Sequence, residues 1–145
     1  MSDRPVVLFL CTGNSCRSQM AEALLRARAG GRLEARSAGT EPKAAIHPLA
    51  YRVMAEIGLD MAGQHPKDLN VYLGHLPVRH LVIVCSSANA SCPSVWPGVM
   101  TRAFWPIEDP AEARGTEAEQ LAKFRQARDE IAARIAGWLA QPAPA

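Results

Sequence analysis

Apolar residues first appear along the chain as an unbroken run, Val6 to Leu10, that ends at Cys11. A run of that kind predicts a strand covered on both faces. From Ser18 the spacing changes, and Met20, Ala23, Leu24 and Ala27 recur at helical intervals until Gly30 and Gly31 stop them. Leu33 to Ser37 read as a second strand. Pro48 suits the first turn of another helix, with Ala50, Val53, Met54 and Ile57 on one face and Gly58 as its stop. Residues 67 to 75 carry only a weak helical signal. The segment HLVIVCSS predicts a third buried strand that delivers Cys85 to its C-terminal end, and TRAFWPI a shorter fourth. A last helix is expected from Thr116 to Ala140, with Leu121, Phe124, Ala127, Ile131, Ile135 and Trp138 as its core stripe. Glu119 with Lys123, and Glu130 with Arg134, have the spacing of ion pairs on its solvated side. The tail beyond residue 140 is expected to fray.

Strands alternating with helices imply one α/β domain over residues 1–145, built as a single four-stranded parallel sheet flanked by helices. In such sheets ligands bind beyond the carboxyl ends of the strands. That rule brings Cys11, Cys85 and, through a loop, Asp109 to one edge.

Composition adds bounds. A chain of 145 residues can bury about 70% of its unfolded surface, so it needs no disulfide or metal staple. A net charge of +2, with no dense Lys/Arg cluster, argues against a nucleic-acid partner. No stretch approaches the ~18 apolar residues of a membrane span. Residues 1–5 lead straight into the first apolar run without a cleavage site, which points to the cytoplasm, where thiols stay reduced; separately, a monomer is expected. Cys11, Cys16, Cys85 and Cys92 then need a reason. They lack the paired C-x2-C spacing of a zinc site, and they sit beside small polar residues rather than inside apolar runs.

Cys11 and Arg17 frame the most informative segment, CTGNSCR, between a strand and a helix. The backbone N–H groups of Thr12, Gly13, Asn14, Ser15, Cys16 and Arg17 can curl round a tetrahedral oxyanion, with the positive end of the helix dipole behind them. Arg17 adds a planar fork for two oxygens. The same field favours a thiolate, so the Cys11 pKa is expected well below ~8.5. Ser18 can hydrogen-bond that sulfur, and Gly13 eases the turn.

With SAGT, VCSSANASCP and WPIEDPA, this loop resembles the low-molecular-weight protein tyrosine phosphatases, and among them most closely the thioredoxin-coupled arsenate reductases. The resemblance implies that Asp109, the acid preceding proline, protonates a departing oxygen. It also implies a thiol relay in which Cys11 attacks arsenate, Cys85 attacks Cys11 to release arsenite, and Cys92 attacks Cys85 to leave a Cys85–Cys92 disulfide for thioredoxin. A reductase must supply two electrons per arsenate, which gives the second and third thiols a use that a phosphatase lacks. Seven helical residues would set Cys85 and Cys92 about 10.5 Å apart, beyond the reach of a disulfide, so the segment between them must bend or unwind. The alternative is a phosphatase acting on phosphotyrosine or phosphoarginine, an activity also expected weakly of a reductase. Gln19, where tyrosine phosphatases of this fold usually carry proline, and Ala111-Glu112-Ala113 after Pro110 favour the reductase.

No cofactor is expected to be tightly bound. Some arsenate reductases hold potassium at positions matching Asn14, Glu22, Ser37 and Asp68, but Pro66 brings no hydroxyl and Lys67 a positive charge of its own. Cys16 reads as packing behind the cradle, His47 as a helix-entry residue, and Trp96, Phe104 and Trp105 as core.

Overall fold

The computed structural model describes residues 4–92 and 96–141; residues 142–145 of the expected frayed tail lie outside them. In chain order the elements are β1 (Val6–Cys11), α1 (Arg17–Ala29), β2 (Glu34–Gly39), α2 (Pro48–Ala55), β3 (His80–Ile83), α3 (Ser86–Ser91), β4 (Thr101–Phe104) and α4 (Glu117–Leu139). All strands pair in parallel, in the order β2-β1-β3-β4. Every residue of β1 is buried, as its unbroken apolar run requires. From β1 the chain crosses to β2 on one side and then to β3 on the other. The crevice beyond the carboxyl ends of β1 and β3 is therefore the point where connections diverge, and ligands of open α/β sheets bind there. Cys11 closes β1 opposite Gly39, and Cys85 follows β3 by two residues.

The helices differ from their predicted spans where tertiary contacts intervene. α1 ends at Gly30, whose φ of 59° lies in the left-handed region, but Ala27 is exposed, not part of the buried face. Packing against β1, β2 and α4 instead encloses the polar N-terminal positions Ser18, Gln19 and Glu22. α2 stops at Ala55, leaving Ile57 exposed. Between residues 67 and 75 there is a single 3-10 turn, Leu69–Val71. In α4, Glu119 closes a capping box with Thr116. Arg128, unremarked in the sequence, is buried beside the apolar stripe and donates to the Val53 carbonyl at 2.8 Å and to Glu56 at 2.9 Å, which ties α4 to the end of α2. Trp96 and Trp105 are core, whereas Phe104, on edge strand β4, is 41% exposed. Among the described residues no helix is long and apolar enough to cross a membrane.

Candidate active site

The turn from β1 into α1 is held by its carbonyls. Those of Cys11, Thr12, Gly13 and Ser15 accept from the backbone N–H groups of Thr40, Glu41, Lys43 and His47, at 2.9–3.1 Å. The Asn14 carbonyl accepts from Gln19 Nε2 at 3.0 Å. With the carbonyls drawn outward, the amide face of the loop borders the cavity, which is the arrangement an anion cradle needs. Gly39 makes the close approach feasible: a Cβ there would lie 2.5 Å from the Thr12 carbonyl oxygen. Asn14 takes a left-handed φ of 49°, a conformation asparagine tolerates better than most residues. It also braces the loop, as its side-chain oxygen accepts from the Lys67 N–H at 3.0 Å and its Nδ2 donates to Ser18 Oγ at 2.7 Å.

Cys11 Sγ sits at the floor, 2.8 Å from Ser18 Oγ and 3.2 Å from the Asn14 N–H. Since Ser18 Oγ already accepts from Asn14, its own proton is free to point at the sulfur. The thiol nevertheless lies above its ordinary value. Burial pushes it up, and this outweighs the downward pull of the Ser18 hydrogen bond and the Arg17 charge, while Cys85 nearby adds a further upward push. The expected depression of Cys11 is thus corrected: the cradle supplies the stabilising groups, but a sulfur only 2% exposed loses more from leaving water.

The cavity above Cys11 measures about 480 Å³ and is lined by Thr12, Gly13, Ser15, Cys16, Arg17, Cys85, Ser86 and Asp109, with Glu41, Lys43, Glu108 and Glu112 also bordering it. Among the described residues no aromatic side chain lines it. Arg17 donates to the Ile107 carbonyl at 3.0 Å and stands 3.5 Å from Asp109 Oδ2. Asp109 caps the 3-10 turn Pro110–Glu112 through Oδ1, which accepts from the Ala111 N–H, so its other oxygen is the one aimed at Arg17. The Ile107 carbonyl as an anchor for Arg17 carries no signal in the sequence.

Cys85 caps α3, accepting weakly from the Ala88 N–H, and its sulfur is 3.2 Å from Thr12 Oγ1. Two thiols from distant segments thus border one cavity. Cys92 follows α3 at its far end; it is buried beside Arg102, with burial raising its thiol and Arg102 lowering it. Cys16 is buried and pushed up to about 12 by desolvation, which suits packing and not attack. All four cysteines are in the reduced, thiol form. His47 caps α2 through Nδ1 and stacks on Phe124, in keeping with a helix-entry role.

The potassium positions are brought near the back of the loop, but their oxygens are engaged. Glu22 accepts from Ser37 Oγ at 2.7 Å and from Arg26 at 2.5 Å, and Asp68 Oδ1 accepts from both nitrogens of Asn70. Lys67 lies in the same region and spends its ammonium on the His65 carbonyl. These residues do not fit a resident cation, because two protein cations already hold the place.

A family model for low molecular weight phosphotyrosine protein phosphatases matches residues 6–143, and the chain belongs to that family. Within it, the chain groups with the arsenate reductases. The arsenate reductase of Halalkalibacterium halodurans is 41% identical over 134 residues, covering 92% of this chain and 94% of that protein. A solved structure of an arsenate reductase in its phosphate-binding state superposes with a TM-score of 0.79 at 28% identity, over 94% of this chain and 97% of that one. The thioredoxin-dependent arsenate reductase of Corynebacterium glutamicum gives 0.65 at 29% identity, over 97% of this chain and 65% of that one.

Proposed function

We propose that this protein reduces arsenate to arsenite through Cys11, Cys85 and Cys92, with thioredoxin as the reductant, in arsenic detoxification in the cytoplasm. One observation carries the reading: Cys11 and Cys85 border the same cavity, and a third thiol waits at the other end of a six-residue polar helix. Arsenate binds in the amide cradle with Arg17 turned from Ile107 and Asp109 towards its oxygens. Cys11 sulfur attacks arsenic, and Asp109 gives a proton to the oxygen that leaves as water. Cys85 sulfur then attacks Cys11 sulfur. An S–S bond forms, the S–As bond breaks, and its electron pair stays on arsenic, which falls from the pentavalent to the trivalent state. Arsenous acid is neutral near pH 7, so the cradle loses the charge that held its ligand. Cys92 attacks Cys85 and frees Cys11, and a thioredoxin dithiol takes over the Cys85–Cys92 disulfide. The last exchange requires α3 to unwind; a helix of six small residues, Ser-Ser-Ala-Asn-Ala-Ser, carries no large apolar anchor.

A weak phosphatase activity accompanies this chemistry, because Cys11, Arg17 and Asp109 would serve a phosphate ester in the same way. The described lining of the cavity offers an aryl ester no aromatic wall, which disfavours such substrates.

The test pairs two assays on purified protein. Arsenate-dependent NADPH oxidation through thioredoxin and its reductase is expected, with only slow p-nitrophenyl phosphate hydrolysis. In Cys92→Ser, arsenite release should stop after about one equivalent per enzyme. Sustained turnover of that variant with thioredoxin as sole reductant would remove Cys92 from the relay, and rapid hydrolysis without arsenate reduction would assign the chain to the phosphatases.

A further inference from the structure

Between α1, β2 and the segment at 62–72 lies a second cavity of about 470 Å³, nearly as large as the first. Three cations line it, Arg26, Arg36 and Lys67, with Tyr72 beside Arg36 and with Gln64, whose amide is spent on Gln19 and Arg26. Among the described residues Glu22 is the one carboxylate on its wall, and both of its oxygens are taken by Ser37 and Arg26. Glu34 holds Nη2 of Arg36 at 2.7 Å but leaves Arg36 Nε, which is buried without a hydrogen-bond partner. Neutral oxygens take further donors, Gln64 Oε1 and the Ala35 carbonyl from Arg26 and the His65 carbonyl from Lys67, but they cancel no charge, so positive charge exceeds what Glu22 and Glu34 neutralise. At Lys67 burial disfavours the ammonium most, Glu22 opposes it, and the charges of Arg36 and Arg26 add smaller pushes in the same direction as burial.

We infer that this cavity is a binding site for a small dianionic oxyanion of the sulfate or phosphate type, distinct from the cradle over Cys11. The sign of the site is the reverse of a potassium site in the same region. An oxyanion between Lys67 and Arg36 separates the like charges and meets the planar charge of a guanidinium, the group best suited to oxyanions. The site also connects to the reacting sulfur. The backbone N–H of Lys67 holds Asn14 Oδ1, and Asn14 contacts both Ser18 Oγ and Cys11 Sγ. Gln64 reaches the same loop by donating to Gln19, which in turn donates to the Asn14 carbonyl. An occupied cavity pins the 64–67 segment that braces the loop.

Sulfate is the probe, applied as matched sodium and potassium salts, with the two chlorides as controls at equal ionic strength. Arg17→Ala disables the catalytic cradle, so any saturable response reports the second site. In that variant the melting temperature should rise saturably with low millimolar sulfate, whichever cation accompanies it. Adding Arg36→Ala or Lys67→Ala should weaken the effect about tenfold or more. Saturation at low concentration separates binding from the general salting effect of sulfate. Should Arg17→Ala fold poorly, amide NMR of the wild-type protein reads the same site, with sulfate shifting residues 64–72 as well as 12–17. Shifts confined to 12–17 would overturn the inference. So would a response that follows potassium over sodium, or one that survives loss of both Arg36 and Lys67. None of these readouts depends on arsenate turnover.

Discussion

Ser18→Ala isolates the group that most directly opposes burial at the nucleophile. Ser18 is fully buried, its Oγ lies 2.8 Å from Cys11 Sγ, and Asn14 Nδ2 fixes its orientation so that the hydroxyl proton faces the sulfur. Burial raises the Cys11 thiol, and the Ser18 hydrogen bond is the foremost influence bringing it down. Removing it therefore moves the thiol further up, and less thiolate is present at neutral pH. A hydrogen bond to a charged group contributes about 1.5–3 kcal/mol. At 1.36 kcal/mol per decade of rate, losing it from a thiolate-like transition state lowers kcat/KM for arsenate about 10- to 150-fold. The assay is coupled NADPH oxidation across pH 6 to 10, with alkylation of Cys11 by iodoacetamide followed by peptide mass spectrometry. In the wild type the alkylation rate should still be climbing through neutral pH, and in Ser18→Ala the whole profile should shift to higher pH. Ser18→Thr, which keeps the hydroxyl, should recover part of the loss, whereas a merely structural effect of the missing atom would leave the pH profile in place. A kcat/KM within twofold of wild type, or an unmoved alkylation profile, would refute the account of how the cradle manages its sulfur.

Gly39→Ala should loosen the loop, since the new methyl meets the Thr12 carbonyl at 2.5 Å; the expected outcome is a raised KM for arsenate together with a lower melting temperature. Arg128→Ala should cost about 1–3 kcal/mol in a urea melt, through the lost bonds to Val53 and Glu56 in a buried setting, without altering KM. Glu56 is held at about 2, chiefly by its hydrogen bond to Arg125 and then by Arg128. A carboxylate depressed on folding adds stability in full above its unfolded pKa of ~4.3 and loses it as pH falls towards the folded value. The melting temperature of the wild type should therefore drop more steeply than that of Glu56→Gln between about pH 4.5 and pH 2, and added salt should narrow the gap, because the foremost pair, Glu56 with Arg125, faces solvent.

The elements most legible in the sequence were those decided by neighbours along the chain. The unbroken run of β1, the stop at Gly30 and the cap before Glu117 each depend on a few adjacent residues, and each lies within a residue or two of its expected place. Periodicity misled where a helix is enclosed on more than one side. In α1 the sheet and α4 bury Gln19 and Glu22, so the polar pattern there marks an internal hydrogen-bond network and not a solvated face. Arg128 escaped notice for the same reason: a long cation on an apolar stripe looks misplaced until the carbonyl of Val53 and the acid of Glu56 come into view.

The candidate site divides along the same line. A strand, a tight turn and a helix start are local matters, and they alone put Cys11, the amides of Thr12 to Arg17 and the guanidinium of Arg17 within reach of one anion. Whether that thiol is easy or hard to ionise could not be settled locally, because burial is a property of the whole core and it outweighs the local donors. The meeting of Thr12 and Cys85 across 73 residues follows from β3 pairing with β1, and the second basic cavity from a strap at 64–67 folding back over α1 and β2. Covalent order along a chain sets which groups share a turn; solvent exclusion and long-range pairing set what charge each of them can carry.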